Sequence, residues 1–598
     1  MTNTVMNTWE LLKGLGRLAR FRPVDQTQRL SMGGVVANNA QRTPDALMLV
    51  TEKNTLTWGQ FNALANQYAH YFKALGIGAN DSVALLIENE PDMLAALVGL
   101  CKLGAVPGLI NINLRGRLLL HCINAVDSKK VVFSGACVDA VEGIRDSLDK
   151  ESLLYVDCAE DERPTLSPLW ATRIQDDLAL FSSDNPAESN EISFTSPAYC
   201  IFTSGTTGLP KAAIVTHYHW YRASSSFAKL LLGLKSDDRI YVCLPLFHTA
   251  AMLIGFGATT LAGSSFYLAR KFSASRFWDD IRQSESTVFL YIGELCRYLL
   301  NAPKLASDGD NSLRACVGNG LRPEIWNTFK QRFGIRQIAE YYGSTEGNLA
   351  FMNVLNRDRT FGMGLGKFSL VQYDEQSETV VKDREGYCIK VPRGNVGLLV
   401  SKISAKSPFS GYADKEATQS KILSNVFEQG DSYMNTGDLI RRADVGFSLG
   451  IPHYQFVDRV GDTFRWKGEN VSTSEVSEVV NDIPGVLLSS VYGVEIPNTD
   501  GRAGMAALVV DQTSFSHSEF SRAIEKALPS YAQPIFVRIL ASLETTDTHK
   551  IKKSRLQKES YDIAAIEDEL WVKKPRSKDY VALDADFYRI IQGGAADY

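Results

Sequence analysis

The chain has 598 residues, 45% hydrophobic and 22% charged, with 63 basic against 68 acidic side chains for a net charge of −5. That is ordinary globular composition with length enough for about four domains, and the acidic balance argues against a general nucleic-acid binder. Nine cysteines are scattered with no C-x-x-C spacing, which argues against a zinc ribbon or a redox pair and reads as buried thiols in a reducing compartment.

No apolar core followed by small residues opens the chain, so no secretory signal is expected. Residues 1–32 form a separate N-terminal segment. In it, "TWELLKGLGRLARFRP" sets Trp9, Leu12, Leu15 and Leu18 at helical spacing, with Lys13, Arg17 and Arg20 repeating at a similar interval and Pro23 ending the pattern. A basic amphipathic helix of this kind can lie on an anionic membrane surface. Packing onto its own domain is the favoured alternative, and Gly14 and Gly16 weaken the helix.

From Leu56 the rhythm changes. "TWGQFNALANQYAHYFKALG" reads as an amphipathic helix ending at Gly76, "DSVALLIEN" as a strand, and "PDMLAALVGLCKLGA" as a second helix before "VPGLIN". Strand, helix, strand implies parallel pairing and an α/β body. The pattern is expected again at "VVFSG", "STVFLYIGELCRYLL" and "VGLLVSK", and residues 160–190 read as a polar surface excursion. The stretch 240–269 carries no Asp, Glu, Lys or Arg and is long enough to span a bilayer. Its proline, histidine, glycines and hydroxyls favour a buried strand-helix-strand instead. After Arg459, "VSEVVNDIPGVLLSSVYGVEIPN" and "MAALVVD" read as helix, strand, turn, strand of a compact α+β unit. The expected division is a large domain over 33–459 and a small one over 460–598.

Between two apolar runs lies "YCIFTSGTTGLPKAAIVTH", residues 199–217. It lacks the Gly-Lys-Ser/Thr ending of the common triphosphate loop. Gly205 and Gly208 still let backbone N–H groups approach an anion, Thr203, Ser204, Thr206 and Thr207 add hydroxyl donors, and Lys211 adds positive charge. The expectation is a phosphate-binding loop.

"TSGTTGLPK" resembles the phosphate-loop signature of the acyl-adenylate-forming enzymes, which include acyl-CoA synthetases, luciferases and peptide-synthetase adenylation domains. Further stretches similar to that family's motifs follow in order: "YYGSTEG" (341–347), "YMNTGDL" (433–439), "DRVGDTFRWKGENVSTSEV" (458–476) and "TTDTHKIKKSRL" (545–556). "LININLRGRLLLHCI", "CVGNGLRPEIW" and "DYVALDADFYRIIQGG" resemble one branch, the very-long-chain acyl-CoA synthetases, also called fatty acid transport proteins. The resemblance runs from about Gly33 to the C-terminus. It implies an α/β fold with a large multi-layer adenylate-forming domain and a small mobile α+β lid.

The activity so implied is ligation of a long or very long fatty acid to CoA, with ATP and CoA as co-substrates and Mg²⁺ as cofactor. Site roles follow residue by residue. Thr203 to Lys211 would hold the departing phosphates, Thr345 the α-phosphate, and Glu346 the metal. Tyr342 would stack on adenine beside Gly318, Asn319 and Gly320. Asp438 would accept from the ribose hydroxyls, with Arg459 beside it, and His248 would sit near the fatty carboxylate. Lys550 would bridge carboxylate and phosphate. A hinge at Gly461 and Asp462 would exchange the Lys550 face for Lys467, Gly468 and Glu469, where CoA reacts. Much of the wider family carries Lys or Asp at the hinge where this chain has Gly461, and the branch commonly has Gly where this chain has Asp547.

Bland alternatives stand beside these roles: core aromatics for Tyr341 and Tyr342, a turn residue for Asp438, a solvated basic run around Lys550 and a structural His248. At the level of function the alternatives are a ligase for a bile acid, steroid side-chain or carnitine-like acid, an acyl-AMP ligase loading a carrier protein, and a non-catalytic fatty-acid uptake protein. The expected location is cytoplasmic, with peripheral contact at the inner or cytoplasmic membrane face left open. Oligomeric state is not legible.

Overall fold

In the computed structural model, the Thr57 hydroxyl accepts from the Gln60 N–H while the Gln60 side chain accepts from the Thr57 N–H. This reciprocal cap starts helix Trp58–Ala74 one residue inside the expected run. Its Phe61, Ala65, Tyr68 and Phe72 are fully buried at 3–4-residue spacing and face helix Pro91–Lys102, which is buried at every residue except Asp92. Gly99 makes this close approach feasible, because a Cβ there would lie 2.7 Å from the Ala65 carbonyl oxygen. The structure describes residues 2–598 apart from 29, 158–167, 204–209, 344–347, 375–378, 405–406, 408, 410–417, 420, 447, 461–462, 467–468, 500, 529, 546–550 and 597.

The chain divides into two units. The first comprises Met1–Glu346, Met352–Asp358 and Gly411–Ala417; the second comprises Gly347–Phe351, Arg359–Ser410 and Thr418–Tyr598. In the first unit one sheet runs in the order Thr172–Arg173, Leu153–Val156, Ser128–Ser134, Ser82–Leu86, Val106–Leu109, Pro197–Thr203, Lys211–Thr216. All its pairs are parallel except the last. In a second sheet Gln337–Gly343, Ala315–Asn319, Val288–Ile292, Arg239–Val242, Ser265–Leu268 and Leu47–Val50 pair successively in parallel. These are the strand-helix-strand units expected from the sequence. An α/β architecture follows.

The uncharged stretch 240–269 folds as strand Arg239–Val242, π-type helix Ala251–Ala258, a helical turn Thr259–Ala262 and strand Ser265–Leu268. Its glycines serve packing: a Cβ on Gly257 would lie 2.1 Å from Ser224 Oγ, and one on Gly255 2.9 Å from Val242 Cγ2. Among the described residues no helix is long and apolar enough to cross a membrane. The eight described cysteines are all buried and free.

Helix Thr2–Arg20 forms despite its two glycines. A Cβ on Gly14 would sit 2.5 Å from the Val354 carbonyl oxygen, so Gly14 is the point of contact rather than a weakness. The expected stripe shifts accordingly. Leu11 is buried and Leu18 packs on the core, whereas Leu12 is 53% exposed; the Trp9 side chain lies outside the described residues. Arg17 crosses to the Leu232 and Val354 carbonyls at 3.4 and 3.2 Å.

The second unit contains an antiparallel sheet of Phe368–Val371, Val396–Lys402, Ser432–Ala443, Ile422–Ser424 and His453–Arg459. "VGLLVSK" therefore belongs to an antiparallel ladder and not to a parallel strand-helix-strand unit. The reason is local: the Pro392–Asn395 turn leads into it with no crossover helix. Another sheet runs Val486–Val494, Ala503–Val510, Phe536–Ile539, Glu569–Lys573, Tyr580–Ala582, with helix His517–Ala527 crossing between its one parallel pair. Each sheet has its own apolar cluster, one around Val371, Leu398, Val400 and Leu439, the other drawn from residues 464–591.

One buried cation stands out in the first unit. Lys102 is fully buried, and its ammonium donates to the side-chain oxygens of Asn62 (2.6 Å), Asn66 and Asn185 (2.8 Å). Asn66 Nδ2 donates to the Ser183 carbonyl, which fixes the amide's oxygen toward the lysine. Burial pushes the ammonium down to about 7. An unfolded lysine titrates near 10.4, so between these values the unfolded chain binds more protons and stability rises with pH. The stability gap between wild type and Lys102→Met is expected to shift in favour of wild type by on the order of 1 kcal/mol per pH unit between about pH 7.5 and 9.5. Melting curves across that range check this, and a pH-independent gap would mean Lys102 keeps its proton on folding.

Candidate functional site

Parallel strands deliver their carboxyl ends to one edge of a sheet, where loops can build a site. In the first unit, Ala315–Asn319 and Gln337–Gly343 are neighbours with Gly318 opposite Glu340. They end with the candidates Gly318 and Asn319 on one strand and Tyr342 on the other. His248 lies in the turn that leaves parallel strand Arg239–Val242 for the helix at Ala251, donating its N–H to the Pro245 carbonyl and accepting from the Met252 N–H. Those four candidates share one sheet edge. Tyr341 is an edge-to-face partner of Phe227 at 5.0 Å and packs against the core, while its neighbour Tyr342 is half-buried.

The turn after Asn319 is built by close contact. Gly320 has φ +82°, a conformation favouring glycine. A Cβ on Gly318 would fall 2.1 Å from the Tyr291 carbonyl oxygen, and one on Gly293 1.8 Å from that of Gly320. Beneath the turn, Glu340 accepts from the Leu321 N–H at 3.1 Å and from the Tyr291 hydroxyl. Burial pushes this carboxyl up to about 8, against the opposite pull of its hydrogen bonds. Glu340 escaped the sequence reading, although an acid inside the apolar strand "QIAEYYG" was a legible signal of a buried, partnered carboxyl.

The hydroxyl-rich loop spans an antiparallel pair, Pro197–Thr203 against Lys211–Thr216, with Thr203 and Lys211 directly opposite. Its base is therefore closed by the ladder at the two residues expected to flank a phosphate. The Pro210 carbonyl lies 3.0 Å from His121 Nε2, on helix Gly116–Ala125, a second contact not anticipated. Ser204, Gly205, Thr206, Thr207 and Gly208 lie outside the described residues, as do Thr345 and Glu346.

In the second unit, Asp438 and Arg459 face each other across adjacent antiparallel strands, with Arg459 Nε donating to Asp438 Oδ1 at 3.1 Å. The carboxylate is nearly buried and the guanidinium mostly exposed. "NTGD" is a distortion within a long strand rather than a connecting turn. Gly437 takes φ +74°, the pairing with Val396–Lys402 shifts register there, and the Thr436 hydroxyl accepts from the Asp438 N–H while donating to the Leu399 carbonyl.

Next to this pair, buried Asp458 accepts from the Ser472 hydroxyl (3.0 Å), the Thr473 hydroxyl (3.3 Å) and the Ser474 N–H (3.4 Å). It thereby caps helix Thr473–Asn481 across the segment where the hinge was expected. The hinge residues Gly461 and Asp462, along with Lys467, Gly468, Asp547 and Lys550, lie outside the described residues. Glu469 opens the short strand Glu469–Ser472, paired with Thr463–Trp466.

A family model described as "AMP-binding enzyme" matches residues 36–412. The chain is 37% identical over 591 residues to the medium/long-chain-fatty-acid–CoA ligase FadD6 of Mycobacterium tuberculosis, covering 98% of this chain and 95% of that protein. It is 40% identical over 571 residues to long-chain fatty acid transport protein 2 of Rattus norvegicus, covering 93% and 90% respectively. Among solved structures, the anthranilate CoA ligase AuaEII in complex with anthranoyl-AMP superposes with TM-score 0.73 at 20% identity, over 90% of this chain and 98% of that one. That likeness is one of fold.

The Glu340 clamp predicts a separation of variants. Glu340→Ala frees the turn and is expected to raise KM for ATP about 10-fold or more. Glu340→Gln, which keeps an acceptor for the Leu321 N–H, is expected to stay within about threefold of wild type. Steady-state kinetics on both variants, with melting temperatures as a control for folding, checks this.

Proposed function

The chain belongs to the AMP-binding enzyme family, and on that premise we propose that it is an ATP-dependent ligase joining a long or very long fatty acid to CoA. The observation that carries this reading is the alignment with a fatty-acid–CoA ligase over nearly the whole chain, which spans both units and the segments around every candidate residue.

A carboxylate acylates poorly because oxide is its leaving group. In the first step a carboxylate oxygen attacks the α-phosphorus of ATP and pyrophosphate departs. In the second the CoA thiol sulfur attacks the acyl carbon, loses its proton, and AMP departs with the former carboxylate oxygen. The first transition state concentrates negative charge, so catalysis is largely positioning and electrostatics. Lys211 and the loop from Thr203 to Gly208 would hold the β- and γ-phosphates, and Thr345 the α-phosphate. Tyr342 would stack on adenine beside Asn319, over the turn that Glu340 clamps. Asp438 would accept from the ribose hydroxyls, oriented by Arg459. His248 would stand at the fatty carboxylate, and Lys550 would bridge carboxylate and α-phosphate.

Mg²⁺ is commonly held by one or two carboxylates plus substrate phosphates, so the single carboxylate of Glu346 suits it. When bound, Mg²⁺ neutralises phosphate charge. The thiol step would use the face of Lys467, Gly468 and Glu469, reached by rotation at Gly461 and Asp462. A functional division into residues 1–32, 33–459 and 460–598 belongs to the same proposal, supported by the separate apolar clusters on either side of residue 460. So does a cytoplasmic location with peripheral membrane contact, since a long fatty acid partitions into bilayers in preference to water.

Lys550→Ala is expected to lower acyl-adenylate formation by at least about 10³-fold while leaving the melting temperature unchanged. AMP and pyrophosphate release over a fatty-acid series, with and without CoA, tests the reading. Sustained turnover without CoA, or no acyl-adenylate from any long fatty acid, would overturn it.

A further inference from the structure

A groove of 660 Å³ runs along helix Thr2–Arg20 in the first unit, lined by Leu12, Lys13, Arg17, Arg20, Arg22 and Lys229 among others. Five of these six are cations, on a chain whose net charge is −5. Lys13 pairs with Glu10 at 2.7 Å, and Arg17 is held by two backbone carbonyls. Arg20, Arg22 and Lys229 are exposed, and Leu12 stands 53% exposed among them. An adjoining cavity shares Lys13, Arg17 and Gly233 and adds Asp237, Asp238, Arg314 and Arg336. Asp238 there is neutralised by Arg314 at 2.7 Å.

The position of the groove separates it from the candidate nucleotide site. Asp238, Thr287, Arg314 and Arg336, which line the adjoining cavity, each immediately precede one of the parallel strands beginning at Arg239, Val288, Ala315 and Gln337. They mark the amino edge of the sheet, whereas His248, Asn319 and Tyr342 lie at its carboxyl edge. An ATP phosphate held at the carboxyl edge therefore has no use for this charge.

We propose that this groove and the exposed Leu12 beside it form a docking surface for an anionic phospholipid bilayer. The chemistry matches in two respects. Clustered arginine and lysine are drawn to a negative leaflet, and an exposed leucine between them can enter the headgroup–acyl boundary. The choice of a bilayer as occupant rests in part on the fatty-acid reading, because such a substrate concentrates there. The surface itself does not depend on ligase chemistry.

The test is binding of the full chain to vesicles, read by co-sedimentation and without reference to activity. Wild type is expected to bind phosphatidylglycerol-containing vesicles, to ignore pure phosphatidylcholine, and to release as salt is raised. Arg20→Glu/Arg22→Glu/Lys229→Glu is expected to bind the anionic vesicles about 100-fold more weakly, at roughly fivefold per basic residue. The milder Arg20→Gln/Arg22→Gln variant should fall between them, and melting temperatures report on folding. Equal binding to phosphatidylcholine, no binding to either vesicle, undiminished binding by the triple variant, or tighter retention on a short DNA duplex would each overturn the proposal.

Discussion

The candidate nucleotide pocket depends on one buried carboxyl group. Glu340 ties the Leu321 backbone and the Tyr291 hydroxyl together, and so fixes the turn through Gly318, Asn319 and Gly320 to the strand that ends in Tyr342. Isolated in an apolar interior, a carboxyl is costly. Here the cost is met by hydrogen bonds whose donors belong to the very elements that need aligning. Since Gly318 and Gly293 leave no room for a side chain against neighbouring backbone, the turn has little latitude once the acid is in place. Rigid elements, rather than a loose loop, then present the candidate adenine-contacting groups.

A different device serves the second unit. Asp438 is aimed by a strand irregularity: positive-φ Gly437 and the Thr436 hydroxyl displace the ladder and leave the carboxylate opposite Arg459. One residue before Arg459, Asp458 uses its lone pairs to cap the helix beginning at Thr473. Strand end, cap and helix are thereby connected through one side chain across residues 459–472, where the proposed hinge lies. Any rotation there would have to break or carry along that cap. The carboxylate of Asp458 thus bears on motion, and that of Asp438 on contact.

How legible was this in the sequence? The alternation of apolar strands and amphipathic helices from Leu56 onward gave the parallel α/β body, because periodicity reports burial directly. The motif order gave the candidates Asn319, Tyr342, Asp438 and Arg459, which the structure sets at a sheet edge or across a strand pair. Less legible was anything decided by a partner distant in sequence. "VGLLVSK" has the composition of a buried strand either way, and only its connections make it antiparallel. Gly14 read as a helix weakener because propensity counts the residue alone, while its contact with Val354 is 340 residues away. The glycines at 255 and 257 read only as diluting an apolar stretch, whereas each admits a particular neighbour, Val242 and Ser224 respectively. Glu340, His121 and Asp458 act through hydrogen bonds to residues well separated in sequence, which no spacing rule records.

The direction of the parallel strands also bears on how charge is distributed over the first unit. At the carboxyl edge of the second sheet stand His248, Asn319 and Tyr342, with no cluster of cations among the candidates there. At the amino edge the cations are denser and mostly arginine, and the acidic Asp238 among them is already neutralised by Arg314. A large planar cation that is always charged suits a lasting, multivalent contact with phosphate groups better than a transient one. With the two sets at opposite ends of the same strands, the proposed surface ligand at one edge would not compete with the proposed nucleotide at the other. Helix Thr2–Arg20 can be seated tightly through Gly14 and Arg17 and still leave its remaining cations to solvent, because a helix packed along one face keeps the opposite face free. The N-terminal segment thus adds positive charge to an acidic protein at the place where that charge interferes least with the proposed chemistry.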